Sequence, residues 1–153
     1  MMKKKFLSIA AAGLAATAVV ALAPAAQAAE TASTTVAHQV SARIVDGTVT
    51  VPSGSSYEFS IVVRNDGAQA ETVAVKQAFL QSDRATVVDA GGLTATATGA
   101  TGTVVVPAGE TVTIPVEAKI RSTLGNLNNS VTVQPTEGGR SWLAWDANVI
   151  TAG

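Results

Sequence analysis

The segment YEFSIVVR, residues 57–64, decides the fold because its apolar side chains recur at every second position. Residues two apart in an extended strand lie on one face, so this alternation predicts a half-buried β-strand. The side chains predicted to point inward are those of Tyr57, Phe59, Ile61 and Val63, and those predicted to point outward are Glu58, Ser60 and Arg64.

A second alternating segment, TVTIPVEAKIR at residues 111–121, gives the same prediction. Its inward set is Val112, Ile114, Val116, Ala118 and Ile120, and its outward set is Thr111, Thr113, Glu117, Lys119 and Arg121. Pro115 interrupts this strand and cannot donate a backbone hydrogen bond, so it predicts a sheet edge or a β-bulge.

Shorter segments rich in β-branched residues predict further strands, at 36–45, 47–51, 72–80, 93–98, 103–106, 130–134 and 141–146. Clusters of Gly, Asn, Asp and Pro lie between them, at 46–47, 52–54, 65–67, 91–92, 107–109 and 138–139. These residue types favour chain reversal. Only residues 77–85 combine a weak β signal with modest helical character. Short strands separated by turns at this spacing predict an all-β sandwich or barrel.

Two turn motifs resemble a known family. The first is VRNDG at residues 63–67, and the second is VPAGETVTIPV at residues 106–116. Both resemble the immunoglobulin-like modules of secreted bacterial proteins, of the type of the cell-adhesion-related domain found in bacteria. The resemblance covers residues 41–133 and implies an antiparallel β-sandwich of about 7–9 strands. It also implies a role as a spacer, an adhesion unit or an accessory binding module attached to other domains.

Residues 1–28 have the layout of a secretory signal peptide. A basic start at residues 3–5 is followed by an apolar run at 6–22 and by a small-residue cleavage site, Ala26-Gln27-Ala28. The apolar run is shorter than the ~20 residues that span a bilayer. We therefore expect a secreted protein, free or associated with the cell wall, with no membrane attachment after cleavage. The expected organisation is a signal peptide at 1–28, a flexible mature N-terminus at 29–35 and a β-sandwich domain at 36–153.

Charge and cysteine content restrict the possible partners. Loss of Lys3, Lys4 and Lys5 with the signal peptide would leave seven cationic and eleven anionic side chains, a net charge of −4. Nucleic acids and anionic lipids require clustered cations, so neither is an expected partner. The chain has no Cys, and packing alone must therefore hold an exported domain together.

No pattern predicts catalysis, a metal or a cofactor. His38 is the only histidine, and a histidine metal site needs further ligands that the chain lacks. The hydroxyl-rich segments contain no Gly-x-Ser-x-Gly motif. Asp83, Asp89 and Asp146 could form an acid pair, although scattered surface charge is the better interpretation. The single aspartate of residues 65–67 provides too few oxygen ligands for calcium.

Trp142 and Trp145 are the candidate binding residues. They contain the only two indoles of the chain and lie three positions apart, so in a strand they should point to opposite faces. One ring would then fill the core and the other would meet solvent or a partner. The alternative is that both rings cap an open end of the sandwich.

These observations favour a secreted, non-enzymatic binding or structural module at or near the bacterial cell surface. Its partner would be a cell-wall polymer, a carbohydrate or a protein. A second hypothesis is an inhibitor or effector that contacts another protein through the segment 83–92. The weakest hypothesis is a small hydrolase that depends on His38.

Overall fold

The computed structural model describes residues 39–153. These residues form ten strands and no helix. The strands are β1 (Val40–Val45), β2 (Thr50–Pro52), β3 (Ser56–Asn65), β4 (Glu71–Phe79), β5 (Ala85–Asp89), β6 (Thr94–Thr96), β7 (Gly99–Val106), β8 (Thr111–Ile120), β9 (Gly125–Pro135) and β10 (Trp142–Thr151). Within this range nothing forms a helix long and apolar enough to cross a membrane. The predicted signal peptide, N-terminal tail and His38 lie outside the described residues.

The strands form two sheets, which confirms the all-β prediction. The four-stranded sheet has the order β1-β3-β8-β5, and the six-stranded sheet has the order β2-β10-β9-β4-β7-β6. The pairing is antiparallel except between β2 and β10, which run parallel. The count of ten exceeds the expected 7–9 because β5 was not predicted, whereas the predicted segments 47–51 and 93–98 form the short strands β2 and β6.

The core lies between the sheets, where the two alternating segments place their inward side chains. All four inward residues of β3 are at most 3% exposed, and the outward residues of both segments face solvent or are half-buried. Three aromatic rings pack together at the centre, with centroid distances of 5.1 Å for Tyr57–Phe59, 6.5 Å for Tyr57–Phe79 and 6.1 Å for Phe59–Phe79. Burying each such apolar side chain contributes about 1.5–3 kcal/mol, so burial can hold the domain together without disulfides.

The helical character predicted for residues 77–85 is wrong. β4 continues to Phe79, a turn follows, and β5 begins at Ala85. The strand predicted at 72–80 forms as β4, and Gln77 weakens its β signal because it occupies an inward position that otherwise holds apolar residues. Its side chain is buried and its Nε2 donates to Asn129 Oδ1 on β9 at 2.8 Å.

Pro115 lies in a central strand, β8, so the edge alternative is wrong, and the β-bulge that the structure shows lies in the neighbouring strand β5. It pairs with Ser60 on β3, whereas pairing of β8 with β5 extends only to Glu117, which lies opposite Asp89 just after a bulge. The carbonyl oxygen of Pro115 approaches Gly91, where a Cβ would lie only 1.9 Å away. The N–H and C=O of one strand residue point to the same side, so the missing donor of Pro115 faces the place where β5 has ended.

Candidate binding surface

Trp145 lies on the outer side of the six-stranded sheet, in β10. Alternate residues of a strand point to opposite sides, and Asn148 and Ile150 are buried, so the odd-numbered residues of β10 face solvent. Trp145 is 57% exposed, and Leu143 and Val149 on the same side are 51% and 49% exposed. These three side chains form an apolar strip along β10.

Hydroxyl and amide side chains dominate this outer side, which we call the hydroxyl face. Burial and register assign to it Thr50 of β2; Leu143, Trp145, Ala147 and Val149 of β10; Asn126, Asn128, Ser130, Thr132 and Gln134 of β9; Thr72, Ala74, Lys76 and Ala78 of β4; Thr101, Thr103 and Val105 of β7; and Thr94 and Thr96 of β6. Lys76 is the one charged side chain in this set. The hydroxyl face is therefore polar but almost uncharged.

Small residues lie beside the exposed indole. The register places Ser130 of β9 opposite Trp145, and Ala78 of β4 opposite Ser130. Residues directly opposite in an antiparallel pair have Cβ atoms about 4.5–5.5 Å apart. Ser130 Oγ donates to Ala78 O at 3.1 Å, which directs this hydroxyl to the backbone of the sheet. We call Trp145, Ser130 and Ala78 the central row. In this row the large indole lies next to two small side chains, Ser130 and Ala78, which we call the floor.

The outer side of the four-stranded sheet has a different character. Its strands β1, β3 and β8 carry five outward charges, from Arg43, Glu58, Arg64, Glu117 and Lys119. Glu58 and Glu117 lie directly opposite each other, and both line a groove of about 540 Å³ together with Asp46 and Asp89. The two outer sides therefore present different chemistry to a partner, one charged and one nearly neutral.

Trp142 lies at the seam between the two sheets. It is the first residue of β10, and its Nε1 donates to the carbonyl oxygen of Ala42 on β1 at 2.9 Å. Two cavities of about 380 Å³ each lie against its ring, one lined in part by Arg140 and the other in part by Arg43 and Arg64. Trp142 is 45% exposed, so it covers the seam without entering the core.

A cluster of four polar side chains joins the sheets further along the same seam. Asn148 Nδ2 donates to Asp46 at 2.7 Å and to Asp146 at 2.6 Å. Tyr57 donates its hydroxyl to Asp46 at 2.8 Å and lies 3.2 Å from an oxygen of Asp146. Two carboxyl groups thus share the same donors, and we call this set the carboxyl clasp.

The clasp shifts the pKa of each titratable member. Burial and the neighbouring charge of Asp46 raise the pKa of Asp146 above its ordinary value. Burial also opposes ionisation of Asp46, but hydrogen bonds from Asn148 and Tyr57 outweigh it and hold the pKa of Asp46 below its ordinary value. Burial and the hydrogen bond to Asp46 raise the pKa of Tyr57. Asp46 therefore ionises first, and Asp146 keeps its proton to a higher pH.

The structure separates the residues proposed from sequence. Trp142 and Trp145 do lie on opposite sides of β10, but neither ring fills the core and they do not cap one end together. The carboxylate partner of Asp146 is Asp46. The sequence had suggested Asp83 or Asp89 instead. The segment 83–92 is half strand and half turn, because β5 occupies five of its ten residues.

Sequence reasoning missed the partners of Trp145 and of Asp146. The hydroxyl face could be found only with the register of β9 and β4, since Ser130 and Ala78 are distant from Trp145 in the chain. The carboxyl clasp joins residues 100 positions apart, and no local pattern signals it. Among residues 39–153, no three His, Cys, Asp or Glu side chains are grouped closely enough to hold a metal ion.

Comparison with known proteins identifies the fold. No family model and no curated protein matches this chain. A crystal structure of α2-macroglobulin from Escherichia coli matches with 12% identity and a TM-score of 0.57, over 77% of this chain and 17% of that chain. The CARDB domain of a Pyrococcus furiosus protein, solved in complex with di-metal ions, matches with 13% identity and a TM-score of 0.51, over 77% and 97%. The sporulation control protein Spo0M from Bacillus subtilis matches with 10% identity and a TM-score of 0.52, over 74% and 50%.

These likenesses concern the fold alone, because every identity is far below 25%. They confirm the immunoglobulin-like β-sandwich that the two turn motifs predicted. Function must come from the site, since one fold serves many unrelated activities.

Proposed function

We propose that the protein is an exported, non-enzymatic module that attaches to a partner at the bacterial cell surface through the hydroxyl face. Trp145 is the anchor of this contact. The observation that carries the proposal is the exposure of Trp145, 57%, between two other exposed apolar residues of β10.

An exposed indole in such a strip favours binding for a physical reason. Its ring offers a large contact area with only two side-chain torsions to immobilise, and this is why Trp is enriched among residues that dominate binding energy. Leu143 and Val149 extend the area on either side along β10. Burial of the strip by a partner would remove apolar surface from water at about 25 cal/mol per Å².

The chemistry of the described residues supports a role without catalysis. The carboxyl pair of the clasp, Asp46 and Asp146, accepts hydrogen bonds from Asn148 and Tyr57 inside the seam. A nucleophile needs a base within hydrogen-bond reach, and residues 39–153 contain no histidine to serve as one. Export rests on the predicted signal peptide at 1–28.

Co-sedimentation with surface material from the producing cell tests this function. The protein is purified in its naturally processed form and compared with Trp145→Ala. We expect wild type to sediment with the material and the variant to bind about tenfold or more weakly, as is typical when an aromatic residue that dominates the binding energy is removed.

Val88→Ala is the matched control, because Val88 is also 57% exposed but belongs to β5 of the other sheet. It should bind like wild type. Equal binding by wild type and Trp145→Ala, or no binding by wild type, would contradict the proposed function.

A further inference from the structure

We propose that the ligand of the hydroxyl face is an uncharged polysaccharide, which lies across the strands along the central row with one sugar ring stacked on Trp145. This inference rests on the proposed function and names the chemistry of the partner.

Charge selects among the possible polymers. The hydroxyl face has one charged side chain, Lys76, among 18 other outward residues. Binding of a polyanion depends on several cations that replace its counterions, and one lysine cannot supply them. A cationic polymer would require carboxylates, which this face lacks while the opposite side carries Glu58 and Glu117. The charge of the hydroxyl face therefore complements a neutral chain.

The hydrogen-bonding groups also suit a sugar polymer. Asn128 and Thr132 lie two residues to either side of Ser130 on β9, so they border the floor of the central row. Their amide and hydroxyl groups both donate and accept, as the hydroxyl groups of a sugar do. These side chains are neutral and partly exposed, so exchanging water for sugar hydroxyls desolvates no full charge.

The shape of the central row gives the ligand its direction. Trp145 stands at one side, and Ser130 and Ala78 continue from it across β9 and β4 with little bulk. Neighbouring strands are about 4.8 Å apart, so the path from β10 to β7 is about 14 Å long. This length accepts more than one sugar ring. The apolar face of a ring can pack on the indole, whose π-face attracts the weakly positive C–H groups.

A folded protein partner fits this surface less well. Protein interfaces are anchored by a well-packed apolar centre with a surrounding rim. Here the apolar strip follows β10 near one side of the sheet, and the centre of the face on β9 and β4 is polar or small. A flat, polar centre with one aromatic at its side is better suited to a thin, hydroxyl-rich chain.

A substitution in the floor tests the path of the ligand separately from the indole. Ala78→Glu places a bulky carboxylate in the central row without altering Trp145. Ala74→Glu is the matched control, because Ala74 lies on the same strand and face but about 13 Å away along β4. We expect Ala78→Glu to reduce binding by about tenfold or more and Ala74→Glu to bind like wild type. Circular dichroism and thermal melting of both variants show whether each is folded.

The surface material used for co-sedimentation is divided into untreated, protease-treated and periodate-oxidised portions, and binding is measured at low and high salt. Binding that survives protease and high salt but is lost after periodate oxidation of sugar diols supports the inference. Binding lost after protease identifies a protein partner, and binding lost at high salt identifies a charged polymer; either result overturns the inference.

Equal binding by folded Ala78→Glu and wild type would also overturn it. In each of these cases loss of binding by Trp145→Ala would still uphold the proposed function. Failure of wild type to bind the untreated portion would overturn both.

Discussion

Two aspartates illustrate how much a single pair of residues can contribute to this fold. Asp46 follows β1 and Asp146 lies in β10, so the carboxyl clasp connects the four-stranded sheet to the six-stranded sheet. Two ionised carboxylates that share the donors Asn148 and Tyr57 would repel each other. Burial and this repulsion raise the pKa of Asp146, and hydrogen bonds from Asn148 and Tyr57 lower the pKa of Asp46, so there is a pH range in which Asp46 is ionised while Asp146 keeps its proton.

Folding stability should therefore depend on pH at this pair. The folded chain holds the proton of Asp146 more tightly than the unfolded chain does, so this contribution is present below pH 3.8 and is lost as the pH rises through the raised pKa. Asp46 acts in the opposite sense, since its contribution is present above pH 3.8 and is lost as the pH falls through its lowered pKa. The pair stabilises the fold most where Asp46 is ionised and Asp146 is protonated.

Asp146→Asn tests this dependence. The amide cannot ionise, yet it can accept from Asn148 and donate to Asp46. We expect the variant to lose less stability than wild type as the pH rises above 3.8. At neutral pH its free energy of unfolding should exceed that of wild type by about 0.5 kcal/mol. The difference is small because solvent screens this half-buried site. Urea unfolding across the pH range measures it, with Asp89→Asn as a control outside the clasp. Parallel stability curves for wild type and Asp146→Asn would refute the role of the clasp.

Gly91 is a second residue whose identity the fold requires. Its φ of +59° favours glycine, and an added Cβ would lie 1.9 Å from Pro115 O. Gly47 has a similar φ, +68°, but nothing within 4 Å of its would-be Cβ. We expect Gly47→Ala to destabilise by about 1 kcal/mol through backbone strain alone, and Gly91→Ala by roughly 3 kcal/mol because the chain must also move. Chemical unfolding of both variants measures the difference, and equal destabilisation would show that the contact with Pro115 is unimportant.

At the scale of elements, β10 has two different tasks on its two sides. Through Trp142 it contacts β1 across the seam, and through Trp145 it presents an apolar strip to solvent. β2 pairs with β10 only at residues 149–151. Among the described strands, the first part of β10 is therefore paired with β9 alone. The indole of Trp142 thus helps to hold an edge that no strand covers.

Exchange of the two indoles for phenylalanine should separate these tasks. Trp142→Phe removes the donor to Ala42 O and should lower the free energy of unfolding by about 1 kcal/mol, the usual contribution of one hydrogen bond. Trp145→Phe should leave stability within about 0.5 kcal/mol of wild type, because exposed sites contribute little. Urea unfolding measures both. A larger stability loss for Trp145→Phe than for Trp142→Phe would contradict this division.

The elements also show what the sequence can predict. β3 and β8 were predictable because each places apolar residues at every second position and packs that side on the core. β5 was not, because five residues with a bulge carry too little periodicity. The strand at 72–80 was predictable, but the buried pair of Gln77 with Asn129 was not, because it forms only when β4 and β9 pair.

For the candidate site, the sequence likewise identified the residues but not their surroundings. Composition singled out Trp142 and Trp145, since they are the only two indoles in the chain. Their environments depend on tertiary structure: Trp142 on the approach of β1, and Trp145 on the register that sets Ser130 and Ala78 beside it. Sequence spacing gives the side of a strand, but it does not determine whether that side is covered.

For the whole molecule, the separation of charge between the two outer sides is the main organising feature. The charged outer side of the four-stranded sheet can keep the protein hydrated and separate from other copies while the hydroxyl face is occupied. A nearly neutral face also makes its contacts insensitive to ionic strength, because little of the attraction is electrostatic. Such a module would hold its ligand equally well in dilute and salty surroundings.

The direction of the first and last strands has a mechanical consequence. Ala42 faces Trp142 and Asp46 faces Asn148, so β1 and β10 run the same way along the seam. Residue 39 therefore leaves the sandwich at one end and Gly153 at the other, separated by roughly 30 Å, the length of a ten-residue strand. Tension between these ends pulls β1 and β10 lengthwise in opposite directions, so their hydrogen bonds with β3 and β9 are sheared together and not peeled open one by one. A domain tethered at both ends would resist stretching.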